Sequence, residues 1–598
     1  MKRLLLLPAL FCILGPADAA ERRPNLIVFY TDDHGFADLG VRGVMKDLRT
    51  PHLDALARSG VVATHGYSTA PQCVPSRGGL MTGRFQGRFN LDNNGSSLDG
   101  FNRQVTLAER LQEAGYVTAQ FGKWHLGPME EIPRHGFRHV FAQHGQQVFA
   151  ANITVDGRDR PMGDHPPSDY HIDACSKAAE AVIGRYHDQP FFLYVAYRAP
   201  HTPLDAPQHY KDRFPGPMPE RRRAALGMLA AVDDGVGRIT SALEKHGLTQ
   251  QTLVFFIGDN GAPLKIHKQD SPLNGDAGGW DGSLNDPLNG EKGMLSEGGM
   301  HVPFLIAWPG VIPGGRNYDH PVSALDVTAT AAALADIKTG SGELDGVNLL
   351  PFLKEDKAGP PHEALYWRWM AQSAVREGRW KLLRGGEREY LYDLDQDLGE
   401  EHNLAAKHPE IAARLREKLQ QWSAALEPPG MALGPMAAVW NDYFDFYLEG
   451  KPVAAKPSGG GAAGIQGWQA RGGTAAIHDG ALVIRPADSA AKKTRPFLTN
   501  ADISLPGPVT VTLKVRAREP GKGSLSWRTK DEKDFVAAHS AAFEWKAGPE
   551  IQELKVELPV QGRLIHLRLL PTPTTALEFS SIEIQPRTGK ARTWSFAP

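Results

Sequence analysis

Leu26-Ile27-Val28-Phe29-Tyr30 is apolar throughout and passes straight into Thr31-Asp32-Asp33. A run this short, with no polar face, predicts a strand buried on both sides, as in the parallel sheet of an α/β protein. The texture recurs three times. Val117 to Phe121 enters Gly122-Lys123-Trp124-His125, Phe191 to Tyr197 leads to His201, and Leu253 to Ile257 enters Gly258-Asp259-Asn260-Gly261. Helical stretches such as Thr106 to Ala114 lie between the runs. Ligands of open α/β sheets bind beyond the carboxyl ends of the strands, where all four polar clusters would arrive together. One such cluster alone would be ordinary turn chemistry.

The chain has 598 residues, enough for two or three domains. With 41% hydrophobic and 22% charged residues it reads as globular, neither disordered nor a membrane bundle. A formal charge of -2 speaks against a nucleic-acid partner. Residues 1–20 place Lys2 and Arg3 before an apolar run from Leu4 to Leu14 and end in Ala17-Asp18-Ala19, the pattern of a signal peptide for a periplasmic or secreted protein. The run is too short to span a bilayer, so no stable membrane insertion is expected. Cys12 would leave with the signal. A disulfide between Cys73 and Cys175 is then the competing fate of Cys73.

The α/β catalytic domain is expected over residues 22–355 and a smaller α+β subdomain over 356–450. The texture changes between Ala364 and Trp422: Ala374 to Leu382 reads as a hairpin and Tyr390 to Leu394 as a strand. Pro409 then opens a helix carrying Ile411, Leu415, Leu419 and Trp422 near helical spacing. Pro457-Ser458-Gly459-Gly460-Gly461 marks a linker over 451–463. Residues 464–598 carry short alternating strands, among them Ala481 to Arg485, Val509 to Arg516, Leu554 to Leu558, Leu564 to Leu570 and Leu577 to Ile584, and predict a β-sandwich or jelly roll.

Cys73-Val74-Pro75-Ser76-Arg77 continues into Leu80-Met81-Thr82-Gly83. Pro75 suits the first turn of a helix, so Cys73 would sit where free backbone N–H groups favour an anion. The segment resembles the sulfatase signature at every defined position. The resemblance implies the alkaline-phosphatase-like sulfatase fold with a central mixed sheet. It also implies that a formylglycine-generating or maturation enzyme oxidises Cys73 to formylglycine, whose hydrated aldehyde supplies the attacking hydroxyl, and that Arg77 fixes it. A thiol nucleophile is the other chemistry open to Cys73, without a cysteine-hydrolase signature around it.

Asp32, Asp33, Asp259 and Asn260 offer only oxygen donors, which suits a hard cation, and calcium tolerates irregular geometry better than magnesium. Without a metal, three carboxylates at one sheet edge would repel and raise one another's pKa. Lys123 and His125 alternate across Trp124 and would point the same way in extended chain. In the resembled family the matching aspartates, the asparagine and the modified Cys73 bind one calcium ion. Lys123 and Lys292 would hold sulfate oxygens, His201 would protonate the leaving alcohol, and His125 would contact formylglycine and help expel sulfate. The likeness spans residues 24–424, including the segments Tyr197 to Pro203, Glu291 to Gly299 and Leu391 to Leu404. Leu398 stands where proline is frequent and His301 where arginine is common.

These features point to an exported enzyme that removes sulfate from a sulfated glycan or oligosaccharide. The loop from Ala262 to Asn289, with Trp280, and the segment from Phe85 to Phe101 are candidate walls of a sugar pocket. Trp468, Trp527 and Trp545 read as core of the sandwich rather than as an exposed glycan platform. A phosphoester or phosphonate hydrolase and an inactive glycan-binding protein are the alternative readings.

Overall fold

The structure is a computed structural model that describes residues 23–596 apart from 145–147, 167–168, 265–281, 432–435, 437, 452–467, 472, 479, 487–496, 502, 531, 533–534 and 572–576. The predicted signal peptide, Pro457 to Gly461 and Trp280 therefore lie outside the described residues. The chain divides into two compact units, Met1–Val453 and Ala454–Pro598.

A ten-stranded mixed sheet forms the centre of the first unit. The four apolar runs are its adjacent parallel strands: β1 (Asn25–Asp32), β2 (Val117–Lys123), β4 (Phe191–Pro200) and β5 (Thr252–Gly258), with β3 (His139–His144) beside β2. Their order is β5, β1, β4, β2, β3. Register pairs Thr31 with Gly258, Gly122 with Ala196 and Lys123 with Gln143, so the polar ends of the strands finish at one edge. Phe304–Ala307 pairs antiparallel with β5, which makes the sheet mixed.

Alternation along β1 explains why no polar face was visible. Ile27 and Phe29 enter a core with Ala174 to Ile183 and Ala224 to Leu243, contributed by helices His171–Arg185 and Glu220–Lys245. Leu26, Val28 and Tyr30 enter the opposite core, with Leu80 and Met81 of helix α1 (Cys73–Thr82), Leu107 and Leu111 of Leu107–Glu113, and Val327 of Asp326–Leu334. Thr106 and Glu109 close a capping box on Leu107–Glu113.

A four-stranded antiparallel sheet follows: Leu365–Trp369, Gln372–Glu377, Trp380–Gly385 and Arg388–Asp393. One face packs on Leu415 and Leu419 of helix Pro409–Ser423, the other on Tyr67, Met294, Leu295 and Met300 of the first domain. In the second unit, two sheets enclose a core containing Trp468, Trp527 and Trp545, each buried as expected. Among the described residues, no helix is long and apolar enough to cross a membrane.

Candidate active site

Asp32 ends β1, and Asp33 follows it with φ +60°. Asp259 and Asn260 continue β5, and Asp33 N–H donates to Asp259 Oδ1 at 3.0 Å, locking the two strand ends together. Helix α1 starts at Cys73 and is held against β1 by Tyr30 and Ser76, whose hydroxyls lie 2.8 Å apart. Its first turn thus delivers Cys73 Sγ to 3.3 Å from Asp32 Oδ1. One ligand atom each from Asp32, Asp33, Cys73 and Asp259 fits within 4.8 Å of the others.

Cations surround this cluster. Arg77 Nη2 donates to Asp259 Oδ2 at 2.8 Å and lies 3.5 Å from Asp32, while its Nη1 donates to Tyr194 Oη and Lys123 O. Lys123 Nζ donates to Asp32 at 2.6 Å, and Lys292 Nζ to Asp33 at 2.7 Å. Asn260 Nδ2 donates to Asp33 Oδ1 at 2.7 Å, whereas the buried Asn260 Oδ1 has no partner.

The expectation that all three carboxylates would rise together needs correction. Burial works to raise Asp32, but Lys123, His201 and Arg77 hold it well below the usual carboxylate range. Lys292 and His201 likewise outweigh burial at Asp33. Only Asp259 is raised, by burial and then by Asp32. Lys292 loses hydration on burial, yet Asp33 keeps it charged. Cys73 moves the other way: burial first, then Asp32, raises its thiol above the ordinary range, so a thiolate is disfavoured. Cys73 and Cys175 are both buried and unbridged, so the competing disulfide is not formed.

The alternation across Trp124 also needs correction. β2 ends at Lys123, and His125 takes a left-handed conformation with φ +62° while Trp124 is fully buried. Lys123 and His125 nevertheless line one cleft of about 310 Å³ with Met129, Gln143, Arg198, His201, Thr202 and Pro203. His201 donates Nδ1–H to Thr202 O at 2.6 Å, which leaves Nε2 turned to the site, 3.6 Å from Asp33. Burial lowers its pKa to about 4 against the pull of Asp32 and Asp33. The pKa of His125 falls to about 3, through lost hydration and then Lys123 and Arg77.

Asp32, Asp33, Cys73, Arg77, Lys123, His125, His201, Asp259, Asn260 and Lys292, the residues expected to be catalytic or metal-binding, therefore meet at one sheet edge. The model of the family described as Sulfatase matches residues 21–337, and that described as N-sulphoglucosamine sulphohydrolase, C-terminal matches residues 290–425. The chain belongs to the sulfatase family. It is a sulfuric ester hydrolase by that membership. It is 29% identical to the uncharacterized sulfatase YdeN of Escherichia coli over 508 residues, covering 69% of this chain and 87% of that protein. It is 29% identical to mouse steryl-sulfatase, covering 76% and 89%. Among solved structures it resembles Ps i-CgsB in complex with k-i-k-neocarrahexaose, with a TM-score of 0.60, 29% identity, and coverage of 71% of this chain and 97% of that one.

Several residues of this sulfatase site were not legible beforehand. Tyr30 and Tyr194 look like strand core, yet their hydroxyls hold Ser76 and Arg77. In the segment from Phe85 to Phe101, Phe89, Leu91 and Phe101 turn into the core, while Asn94 Oδ1 accepts Val74 N–H at the start of α1. His301, standing where arginine is common, donates Nε2–H to Thr64 O and places Nδ1 3.0 Å from Glu297. Beside His301, Tyr67 Oη accepts from Arg376.

Proposed function

We propose that this sulfatase is an exported enzyme that hydrolyses sulfate esters of a carbohydrate with a formylglycine at position 73 and one calcium ion. The observation that carries the reading is the arrangement around Cys73: a buried thiol of raised pKa at a helix start, beside a cluster of oxygen donors, two of which are paired with Lys123 and Lys292. Asp32, Asp33, Asp259 and Asn260 would hold the cation. The unpartnered Asn260 Oδ1 and the all-oxygen set suit calcium. Formylglycine would supply the attacking hydroxyl, and calcium would help neutralise the charge of the sulfate oxygens.

The chain's own groups do the rest. Lys123 and Lys292 exchange their carboxylate contacts for sulfate oxygens and offset charge where it redistributes in the transition state. Arg77, fixed by Asp259 and Tyr194, keeps residue 73 in place. His201, oriented by Thr202, would take up a second proton in the enzyme–substrate complex, where the negative charge of the sulfate ester favours the imidazolium, and release it from Nε2 to the ester oxygen as the sulfur–oxygen bond breaks. The net reaction consumes water and yields an alcohol and sulfate. His125 lies on the same cleft, positioned to assist release of sulfate from residue 73. Support for a sugar as the alcohol comes from Ps i-CgsB, solved with a neocarrahexaose.

Paired assays of matched sulfate and phosphate monoesters test the reading against phosphoester or phosphonate hydrolysis. Sulfate is expected to react faster, and a clear preference for phosphate would overturn the proposal.

A further inference from the structure

The cleft outside the sulfate cluster contains polar groups that the protein leaves unmatched. Gln143 on β3 is in register with Lys123 on β2, so both side chains project from one face of the sheet at its carboxyl edge. Gln143 is only 4% exposed, and neither Oε1 nor Nε2 has a hydrogen-bond partner. Leaving a buried amide unmatched is costly, and such groups ordinarily find a partner. Arg198, on the same cleft and 7% exposed, has its charge taken up by Asp205 at 2.7 Å and by Thr202 O at 2.9 Å. Its Nε remains without a partner.

We infer that Gln143, seconded by Arg198 Nε, is a specificity-determining group that reads the hydroxyls of the sulfated ring. The inference rests on the sulfatase reading above and adds the residues by which the site would recognise a sugar rather than another alcohol. One acceptor and two kinds of donor beside His201 match a ring bearing neighbouring hydroxyls, which both donate and accept. A flat aryl or sterol alcohol would leave all of them unmatched. Because Asp205 already balances Arg198, the cleft calls for hydroxyls rather than a second anionic group on that side. Met129 and Pro203 offer apolar contact to the C–H face of such a ring.

Gln143→Leu and Gln143→Glu are compared with the parent enzyme, all in matured form. The substrates are 4-nitrophenyl sulfate and monosulfated galactose, N-acetylgalactosamine, N-acetylglucosamine and carrageenan oligosaccharides. Gln143→Leu is expected to lower kcat/KM on the best sugar sulfate by about tenfold or more. Turnover of 4-nitrophenyl sulfate should stay within about threefold, which also shows that the variant is folded. Gln143→Glu, which keeps an acceptor, should fall between parent and Gln143→Leu on the sugar. An equal loss on both substrates, or none on either, overturns the inference. So does a parent enzyme that cleaves the aryl ester but no sugar sulfate. A parent that cleaves no sulfate ester defeats the sulfatase reading itself, and the inference with it.

Discussion

His201 shows how much one contact can determine. Donation of Nδ1–H to Thr202 O fixes the ring, so that the second proton of the imidazolium form, on Nε2, is the one available to the ester oxygen. The value of that proton depends on the leaving group. A sugar alkoxide is strongly basic and needs protonation as it departs, whereas 4-nitrophenolate leaves readily without it. His201→Ala should therefore slow hydrolysis of a sugar sulfate by about a hundredfold or more, the scale of general acid catalysis. Its effect on 4-nitrophenyl sulfate should be much smaller. Equal losses measured on the two esters would show that His201 serves binding or structure and not proton transfer.

Elements carry the site because strands and loops from distant parts of the chain are clamped to one another. The loop bearing Lys292 is held from the antiparallel sheet: Gln372 Nε2 donates to Gly293 O at 2.9 Å, and its Oε1 accepts Leu295 N–H at 3.0 Å. Just beyond, the fully buried Lys381 donates to Glu297 at 2.8 Å and lies 2.9 Å from Glu400, which in turn accepts Glu297 N–H. Lys381→Met would strand two buried carboxylates. Loss of about 3–5 kcal/mol is expected, read from the denaturant midpoint of the first unit. An unchanged midpoint would mean that this ion cluster contributes nothing to docking the subdomain.

The strands were readable because their apolar runs need no knowledge of partners, and the polar residues at their ends inherited that placement. Asp32, Lys123 and Asp259 are cases in point. The Lys381 cluster was not readable, since its members lie 84 and 103 residues apart and burial of a charge is decided by what meets it. Gln143 was hidden for the same reason, and the left-handed turn at His125 broke an alternation that held only as far as Lys123.

For the molecule as a whole, the buried histidines of the first unit set an acid limit. Burial, then Arg138, lowers His139 from 6.5 to about 4; burial, then Arg376, lowers His65 to about 3. The unfolded chain binds more protons than the folded one between 6.5 and those values, so their contribution is intact above 6.5 and lost as pH falls. Asp233, raised by burial to about 6, opposes the trend. Thermal unfolding should show a midpoint that drops from pH 6.5 toward pH 4, with a shallower slope in His139→Phe. A flat profile would contradict the assignment of neutral buried imidazoles.

The most direct measurement is the mass of the peptide containing residue 73, taken from active enzyme matured in a host able to make formylglycine. The expected peptide has lost sulfur and two hydrogens and gained oxygen relative to cysteine, and sulfate release should rise in proportion to its fraction. Full activity from protein whose residue 73 is entirely thiol would contradict the account.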